Sequence, residues 1–307
     1  MTKFNKKVSV IIPAYNASSF IGQAIDSILG QTYQDIEIIV VDDGSADATK
    51  DIVAQYGDRV TYIYQENQGH AISRNVGMKN SMGEYCAFLD ADDQWLPEKI
   101  ERQVKVLNER PEVGIVHCDI KKVDADGNFI PKYKEKEKYK TGDIFPYLLT
   151  RKGHIATSSA IFRRECVEKL GGFDETVREF GSEDREFWLR ICKHYKVVHV
   201  EDPLVVYRHL TKSLSRSRKL DNIIKGRRWA IDKSLKGFTP SLYGWYLKRI
   251  AYSAIYKDLG YAFLADSDFQ AARVYYLRAI RSWFFDIALW VGLARALLKI
   301  KNRSSYV

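Results

Sequence analysis

The stretch from Tyr85 to Asp93, YCAFLDADD, joins an apolar run to three carboxylates, those of Asp90, Asp92 and Asp93. Aspartate is common where a strand ends, because its side chain accepts hydrogen bonds from nearby backbone N–H groups. The same cluster suits Mg²⁺ or Mn²⁺, which prefer oxygen ligands and take one or two carboxylates while substrate phosphates complete the shell. The stretch alone therefore leaves a solvated turn and a metal site as alternatives.

Short β-branched runs alternate with segments of helical period from residue 8 onward. This alternation is typical of βαβ units and predicts an α/β fold with a mainly parallel sheet. The predicted strands are Val8–Pro13, Ile36–Val41, Arg59–Gln65, Glu84–Leu89, Val113–Val123 and Ser158–Arg163. The predicted helices are Ile21–Leu29, Asp47–Tyr56, His70–Met82, Pro97–Leu107 and a short helix that ends at Gly171.

Acidic residues follow two of the predicted strands, at Asp42-Asp43 and at the cluster that begins with Asp90. Open α/β sheets bind ligands at the carboxyl ends of parallel strands, so this position favours a binding site over a plain turn. The turn after the first strand reads PAYN and contains neither G-x-G-x-x-G nor G-x-x-x-x-G-K. Dinucleotide-binding and P-loop functions are therefore disfavoured, and a nucleotide held through a bridging metal is favoured.

The composition is that of a globular protein, since 46% of the 307 residues are hydrophobic and 28% are charged. The apolar run Val8–Ile12 is shorter than the core of a signal peptide and stops at Pro13, so we expect a cytoplasmic protein. The four cysteines are far apart and lie in apolar or amphipathic runs, so we expect reduced core thiols.

The charge is divided unevenly along the chain. Residues 1–210 carry 29 Lys and Arg against 33 Asp and Glu, whereas residues 211–307 carry 19 against 6. The resulting net charges of −4 and +13 predict two functional zones.

Five motifs, taken in order, resemble those of the family 2 glycosyltransferases of GT-A fold. They are VSVIIPAYN (8–16), EIIVVDDGSADAT (37–49), QGHAISRNVGM (68–78), FLDADDQWLPEKI (88–100) and GSEDREFWLR (181–190). A lone D-x-D would be a weak match, whereas five motifs in the right order form a specific one. The resemblance implies a GT-A catalytic domain over residues 1–215, and residues 216–307 are predicted to form an all-α extension.

The resemblance implies that Pro13 and Tyr15 line the nucleotide base and that Asp43 accepts a hydrogen bond from it. The resemblance favours UDP as the nucleotide, and this choice agrees with the chemistry, because a carboxylate accepts from the N3–H of uracil but repels the N3 lone pair of cytosine. The residues alone favour a different role for Asp42 and Asp43, in which they cap the next helix together with Ser45.

The resemblance implies that Arg74 lies near the base or the diphosphate, and that a metal at the D-x-D aspartates bridges the diphosphate. A guanidinium suits phosphate oxygens, although without the resemblance Arg74 would be a solvent-facing helix residue. Asp92 is implied to coordinate Mn²⁺ or Mg²⁺ and Asp90 to contact the sugar or ribose, while Asp93 coordinates weakly or helps to start the next helix. The metal would act as a Lewis acid for the departing nucleotide diphosphate.

Ser182 is predicted to cap a helix whose first turn holds Glu183 and Asp184, where the helix dipole favours negative charge. Dipole complementarity alone would account for acids at these positions. The resemblance implies that Asp184 is the base that removes the acceptor proton and that Glu183 contacts acceptor or donor. Direct attack of the acceptor on the anomeric carbon makes the expected reaction inverting.

The segment after the last motif departs from the family pattern. The family often shows Y-R-x-H, whereas this chain reads YRH at 207–209, so no ligand role is carried over to His209. Two alternatives remain for the segment: a basic strap that closes over the diphosphate, with Arg208 and Lys212 as contacts, and a surface linker.

Residues 216–307 are rich in Lys, Arg, Trp and Tyr and predict successive amphipathic helices. The spacing from Tyr256 to Ala279 fits one tetratricopeptide-like hairpin, and because no second copy follows, we expect it to pack against neighbouring helices or the catalytic domain. The apolar segment Trp283–Leu298 is too short and too charged to span a bilayer. It is expected either to lie at the anionic inner face of a membrane or to form a helical core with a solvated basic exterior.

Together these patterns predict a metal-dependent, inverting glycosyltransferase that uses a nucleotide-sugar donor and a glycan or lipid-linked acceptor in cell-surface polysaccharide or glycolipid synthesis. The alternatives are a non-catalytic scaffold that keeps the fold and a sugar nucleotidylyltransferase, which would need a Gly-rich, basic loop where this chain has PAYNAS. Nucleic-acid binding is disfavoured because the basic region has no recognised motif.

The loops Lys152–Ser159 and Gly172–Gly181 are expected to select the substrates, and Tyr133–Lys140 is expected to be an exposed loop. The sugar, the linkage and the oligomeric state are left open.

Overall fold

One mixed sheet organises the first two thirds of the chain. This computed structural model describes residues 7–130, 140–150, 153–178, 180–210, 220–238 and 241–300. The strands are β1 (Val8–Ala14), β2 (Ile36–Asp42), β3 (Thr61–Tyr64), β4 (Tyr85–Phe88), β5 (Gln94–Trp95), β6 (Val113–Val123), β7 (Ile161–Arg163) and β8 (Lys196–Arg208). The helices before residue 193 are α1 (Ile21–Leu29), α2 (Thr49–Ala54), α3 (His70–Lys79), α4 (Lys99–Glu109), α5 (Phe145–Leu149), α6 (Arg164–Leu170) and α7 (Glu183–Cys192).

The eight strands lie in the order β3-β2-β1-β4-β7-β6-β8-β5. β1 pairs in parallel with both β2 and β4, and β2 pairs in parallel with β3. The register aligns Ala14 with Asp42 and Ile11 with Phe88, so the carboxyl ends of β1, β2 and β4 share one edge. The predicted α/β class is confirmed, and both predicted acidic clusters lie at that edge.

The second half of the sheet is mixed. β7 is antiparallel to both β4 and β6, and β5 is antiparallel to β8. The strand predicted from residue 158 begins only at Ile161, because Thr157–Ser159 forms a 3₁₀ turn in which Ser159 donates its N–H and its hydroxyl to the Ala156 carbonyl. The predicted second and third helices are also shorter than expected, and the charged loop predicted at 133–140 lies outside the described residues except for its last position.

Two hydrophobic clusters cover the two faces of the sheet. Along β1, Val10 and Ile12 belong to one cluster and Ile11 to the other, and all three are fully buried. Strand residues that alternate between two cores explain why β1 and β2 are apolar without interruption. The four cysteines are buried and free, as predicted.

Four helices follow the sheet: α8 (Leu220–Ser234), α9 (Leu242–Ala265), α10 (Phe269–Ser282) and α11 (Ile287–Leu297). The predicted hairpin is formed by α9 and α10, and the Tyr276 ring fills the space beside Gly260 and Gly292. Ile231 of α8 and Ala251 of α9 belong to the same core cluster as residues of α7, so the hairpin packs on the part of the chain that carries the sheet. None of the helices in the described ranges is long and apolar enough to cross a membrane.

We predict that Gly77→Ala destabilises the protein, because a Cβ on this α3 residue would lie 2.3 Å from Ile11 Cγ2 of β1. Overpacking of this kind costs about 1–3 kcal/mol in the free energy of unfolding. Gly22→Ala is the matched control on α1, since its Cβ would meet Tyr56 and Ile52 atoms at 3.5 and 3.6 Å, and it should be neutral or slightly stabilising. Urea unfolding measures both, and equal midpoints would contradict the tight α3–β1 contact.

Candidate active site

A cleft of three adjoining cavities opens at the carboxyl ends of β1, β2 and β4. We call them the β2-side cavity (about 410 Å³), the central cavity (about 570 Å³) and the β6-side cavity (about 320 Å³). Tyr15 and Glu183 line both the first and the second, whereas Asp90, Asp92 and Asp184 line both the second and the third. The remaining predicted site residues also line the cleft: Asp43 lines the β2-side cavity, and Pro13 and Arg74 line the central cavity.

Asp43 lies at the end of β2 with its carboxylate bonded to the loop before α3. Oδ1 accepts hydrogen bonds from Gln65 Nε2 at 2.7 Å and from the Gln68 N–H at 2.8 Å, and Oδ2 accepts one from the Gly69 N–H at 2.8 Å. Gly69 has a φ of 92°, a region that glycine adopts readily. A carboxylate oxygen accepts two hydrogen bonds, so Oδ2 has room for a donor from a ligand.

Asp42 closes the turn beside the cleft. Its Oδ1 accepts the Ser45 N–H at 2.8 Å and its Oδ2 accepts the Tyr62 hydroxyl at 2.7 Å. Burial and the Asp42 carboxylate raise the pKa of Tyr62 well above its usual value. The helix that follows begins at Thr49 without a side-chain cap, so the alternative in which Asp42 and Asp43 cap it is wrong.

Arg74 is the central buried cation of the cleft. Its guanidinium donates to Asp90 Oδ1 at 2.9 Å and lies 4.0 Å from Glu183 Oε1. Only 6% of its side chain is exposed, so the alternative of a solvent-facing residue is wrong. Burial disfavours the charged form, but the surrounding carboxylates of Asp90, Glu183 and Asp184 outweigh it and raise the pKa of Arg74.

Asp90 and Asp92 face the central and β6-side cavities from the turn after β4. Asp90 is already paired with Arg74. Burial and the neighbouring Asp90 carboxylate raise the pKa of Asp92 to about 6. A carboxylate whose charge is disfavoured in this way is stabilised by a cation beside it.

Asp93 ties the same turn to β8 from inside the protein. Its Oδ2 accepts the Ser158 hydroxyl at 2.6 Å and its Oδ1 accepts the Arg208 N–H at 2.9 Å. Burial and the charges of Asp90 and Asp92 raise the pKa of Asp93 well above its usual value. The next helix, α4, begins at Lys99, so the predicted role of Asp93 as a helix start is wrong.

Arg208 is an internal residue that holds three segments together. Its guanidinium donates to the carbonyls of Asp92 and Ala125 at 3.2 and 2.9 Å and to Gln23 Oε1 at 3.0 Å. It is 7% exposed at the end of β8, so neither alternative, a strap that closes over the diphosphate or a surface linker, describes Arg208. Lys212, the other residue of the predicted strap, lies outside the described residues.

Glu183 and Asp184 lie in the first turn of α7, as predicted, and Asp184 Oδ1 accepts the Arg185 N–H at 2.7 Å. Ser182 precedes the helix, but its hydroxyl makes no capping bond and its φ is 72°. The predicted Ser182 cap is therefore wrong. Gly181 also has a positive φ, of 69°, and two successive left-handed residues set the direction in which α7 enters the cleft.

The β6-side cavity contains histidines that no motif marks. His117 of β6 and His154 line it, together with His209. Burial and the nearby His199 and His154 lower the pKa of His117 to about 3, so the His117 ring is neutral. The one signal in the sequence was a polar residue inside the apolar run GIVHC, which is also what a buried core histidine looks like.

The acids of the cleft do not form a complete metal site. Among the residues that the structure describes, no three His, Cys, Asp or Glu side chains are placed to hold a metal ion. Asp90 and Asp92 supply two carboxylates, and Asp90 already pairs with Arg74. This donor set fits Mg²⁺ or Mn²⁺ as an ion that completes its shell with substrate phosphates and water.

Two solved structures share this fold, which is the predicted GT-A architecture. TarS of S. aureus in complex with UDP-GlcNAc matches with a TM-score of 0.67 and 18% identity, over 96% of this chain and 88% of that chain. The mannosyltransferase PcManGT from Pyrobaculum calidifontis, in complex with GDP-Man and Mn²⁺, matches with a TM-score of 0.60 and 22% identity, over 97% and 86%.

Sequence comparison identifies the family. Residues 9–171 match the model described as glycosyl transferase family 2. A glycosyltransferase of Rickettsia typhi is 35% identical over 209 residues, which are 66% of this chain and 64% of that relative. TuaG of Bacillus subtilis, named for teichuronic acid biosynthesis, is 42% identical over 114 residues, which are 36% of this chain and 45% of TuaG. Both matches span less than two thirds of the relative's length. The family model covers more than half of this chain, so the chain belongs to glycosyl transferase family 2.

We predict that Ser158→Ala lowers the free energy of unfolding by about 2 kcal/mol, because it leaves the buried Asp93 carboxyl without its 2.6 Å partner. Ser159→Ala is the matched control. Its hydroxyl is equally buried and donates to the Ala156 carbonyl within one turn, so its loss should cost about 1 kcal/mol or less. Denaturant unfolding measures both variants. Equal losses in the free energy of unfolding would show that the Ser158–Asp93 hydrogen bond stabilises the protein no more than the local Ser159 bond does.

Proposed function

We propose that this chain transfers a sugar from a UDP-sugar to an acceptor hydroxyl with inversion and with the help of Mn²⁺ or Mg²⁺. The observation that carries the proposal is the lining of the central cavity, where, among the described residues, Asp90, Asp92, Glu183 and Asp184 face a single guanidinium, that of Arg74. A nucleotide diphosphate adds further negative charge to such a cavity. A divalent cation that enters with the donor compensates for this charge.

The β2-side cavity is the proposed site of the base. Tyr15 is 48% exposed at the border of this cavity and the central one, and Asp43 lies at its floor. The free acceptor position on Asp43 Oδ2 suits the N3–H of uracil. The UDP-GlcNAc bound by TarS supports the same choice of nucleotide, although the likeness itself concerns the fold.

The diphosphate and metal are proposed to lie in the central cavity, where Asp92 would hold the ion and Asp90 the sugar or ribose. The Mn²⁺ and GDP-Man in the PcManGT structure support a divalent ion beside a nucleotide-sugar. When bound, the ion supplies Lewis-acid stabilisation of the leaving diphosphate. Arg74 contributes a fixed positive charge at the same end of β4, and its 2.9 Å bond orients Asp90.

The proposed base is Asp184. The acceptor oxygen forms a bond to the anomeric carbon as the bond from that carbon to the diphosphate oxygen breaks, and the acceptor proton passes to the Asp184 carboxylate. The nucleoside diphosphate leaves with the bonding electrons. Asp184 lines both the central and the β6-side cavities, so an acceptor that enters from the β6 side meets it next to the donor.

The acceptor is proposed to be a growing cell-surface glycan or a lipid-linked glycan, handled at the inner face of the cell membrane. The name of TuaG, a relative at 42% identity, supports polysaccharide synthesis. Residues 1–215 would carry the catalysis and residues 216–307 the membrane contact. His154, from the first of the two loops expected to select substrates, lines the β6-side cavity, whereas Arg178, from the second, lines the β2-side cavity.

The rival function is a scaffold that keeps the fold without transfer. It predicts no binding of nucleotides, whereas a ligand at 100 times its dissociation constant stabilises the folded protein by about 2.7 kcal/mol, a few degrees in melting temperature. Thermal unfolding with and without UDP and Mn²⁺ therefore separates the two functions. The absence of any shift at saturating nucleotide would overturn the proposed transferase.

We predict that stabilisation by UDP depends on Mn²⁺, rises with pH through about 6 and is lost in Asp92→Asn. The pKa of Asp92 is raised to about 6, so below this pH a proton occupies the carboxylate and the affinity for the cation falls about tenfold per pH unit. Melting temperatures at pH 5 and 7.5 measure the effect. Asp58→Asn, an exposed acid outside the cleft, serves as control and should behave like the wild type. A full shift in Asp92→Asn would remove the metal role.

We predict that Asp184→Asn lowers turnover by about 10²–10⁴-fold while it keeps the melting shift with UDP and Mn²⁺, because a base acts on the proton and not on the donor. Glu183→Gln is the comparison, since it removes the neighbouring carboxylate, 4.0 Å from Arg74, and leaves the proposed base in place, so it should lower turnover less than Asp184→Asn. Release of UDP from UDP-sugars, with water as acceptor, measures turnover. Activity of Asp184→Asn within a few fold of the wild type would place the base elsewhere.

A further inference from the structure

The start of α9 and the link between α10 and α11 form an exposed aromatic cluster. The Tyr246 and Trp283 ring centroids lie 5.2 Å apart, those of Trp283 and Phe285 5.1 Å apart, and those of Phe284 and Phe285 3.9 Å apart. Phe284 and Phe285 are 54% and 66% exposed. These rings meet edge-on or tilted and give a contiguous apolar patch at the surface, and such patches mark interaction sites.

The patch continues along the outward side of α11. Leu289, Gly292 and Ala296 are buried on its inward side, where the Tyr276 ring of α10 lies against Gly292. The outward residues are mostly apolar and exposed: Ile287 (77%), Trp290 (49%), Val291 (46%), Leu297 (56%) and Leu298 (70%). This helix therefore has two apolar sides. The exposed side of residues 283–298 is therefore more apolar than a core with a solvated basic exterior requires, and the membrane surface stays a prediction.

The charges around this patch are nearly all positive. Between Ile287 and Ile300 the chain contains Arg295 and Lys299, both exposed, and no Asp or Glu. Arg281 is exposed at the end of α10 beside the aromatic cluster. The one acid between positions 281 and 300, Asp286, is paired with Lys257 at 2.7 Å and accepts the Ala288 N–H.

We propose that this face, which we call the α11 surface, binds the anionic surface of a lipid bilayer. Here the α11 surface means Phe284, Phe285, Ile287, Trp290, Val291, Leu297 and Leu298 with the cations Arg281, Arg295 and Lys299. The helix lies in the plane of the headgroups, with its apolar side chains in the acyl boundary and its cations on lipid phosphates. α11 has 11 residues, about 16 Å, which suits a helix that lies on a bilayer and not one that crosses it.

Charge favours lipid over a second copy of the chain. A twofold interface places the same patch on both partners, so both would bring Arg281, Arg295 and Lys299 to the contact. Like charges at an interface repel, whereas anionic headgroups neutralise them. The indole N–H of Trp290 already donates to the Phe284 carbonyl at 2.8 Å, so its ring enters an apolar boundary without an unpaired polar atom.

The test is co-sedimentation of the full chain with vesicles of phosphatidylcholine alone or of phosphatidylcholine with phosphatidylglycerol. The wild type is expected to sediment with the anionic vesicles and to be released by high salt, because salt screens the attraction. Ile287→Ser/Leu298→Ser should lower partitioning at least tenfold, since each buried apolar side chain contributes about tenfold or more. The matched control is Met82→Ser/Phe129→Ser, which changes two equally exposed apolar residues of the catalytic part and should bind like the wild type.

A second pair of variants tests the charge. Arg295→Gln/Lys299→Gln should lower partitioning into anionic vesicles by about fivefold for each cation and leave any binding to neutral vesicles unchanged. Lys50→Gln/Lys105→Gln, two exposed lysines of the catalytic part, is the control. Equal loss in both pairs would show a general charge effect and would overturn the α11 surface.

Light scattering without lipid tests whether the α11 surface binds a second copy of the chain instead of a bilayer. If the wild type is an oligomer that Ile287→Ser/Leu298→Ser converts to a monomer, and neither sediments with vesicles, the surface is an interface between copies and the proposal is wrong. Sedimentation does not depend on the transferase function. UDP release by the variants in the absence of vesicles should equal that of the wild type, so loss of nucleotide binding and loss of lipid binding are separate failures.

Discussion

The arrangement of the cleft depends on one buried cation, Arg74. It comes from α3, bonds to Asp90 after β4 and lies 4.0 Å from Glu183 at the start of α7, so it joins three elements that are remote in sequence. Its guanidinium carbon lies 5.8 and 5.4 Å from the ring centroids of Phe88 and Phe173, which close the cleft floor beneath it. A guanidinium in this apolar setting is stable only with its carboxylates, and removal of either side would leave an uncompensated buried charge.

The turn that carries the D-x-D is fixed from below by a second set of contacts. Asp93 receives the Ser158 hydroxyl and the Arg208 N–H, and the Arg208 guanidinium in turn donates to the Asp92 carbonyl. The same Ser158 oxygen accepts the Asp90 N–H at 3.1 Å. Asp90 and Asp92 therefore face the cavities from a turn whose backbone is bonded to β8 and to the 3₁₀ turn, which is how a proposed metal ligand keeps its position before any ligand arrives.

Hydrophobic period predicted the parallel half of the sheet, and the shared edge of parallel strands predicted that Asp43 and Asp90 lie at the same end of it. Arg74 and Asp184 were placed at the cleft by the family resemblance, because the local pattern alone favoured other roles for both. A strand was predicted where β7 lies, but its antiparallel direction was not, since a strand of three residues is too short to show a hydrophobic period. Ser182 was misread because the preference of serine for helix caps says nothing of a φ of 72°. Arg208 was misread because exposure is decided by tertiary packing, and a basic residue near a motif looks the same on either side of a strand.

The helical extension bears on the cleft through α8. A Cβ on Gly226 would lie 2.6 Å from the Gly181 carbonyl oxygen and 2.7 Å from that of Phe180, so only glycine lets α8 approach the peptide that precedes Asp184. Lys233 of the same helix bonds Asp174 at 2.6 Å and so lowers the pKa of that acid to about 2, against the effect of its burial. α9 shares a hydrophobic core with α7, whose first turn holds the proposed base Asp184. The helices that carry the α11 surface are therefore packed on the part of the chain that holds the cleft. Docking to a bilayer would then fix the orientation of the cleft relative to the lipid surface, which is what an enzyme with a lipid-linked acceptor requires.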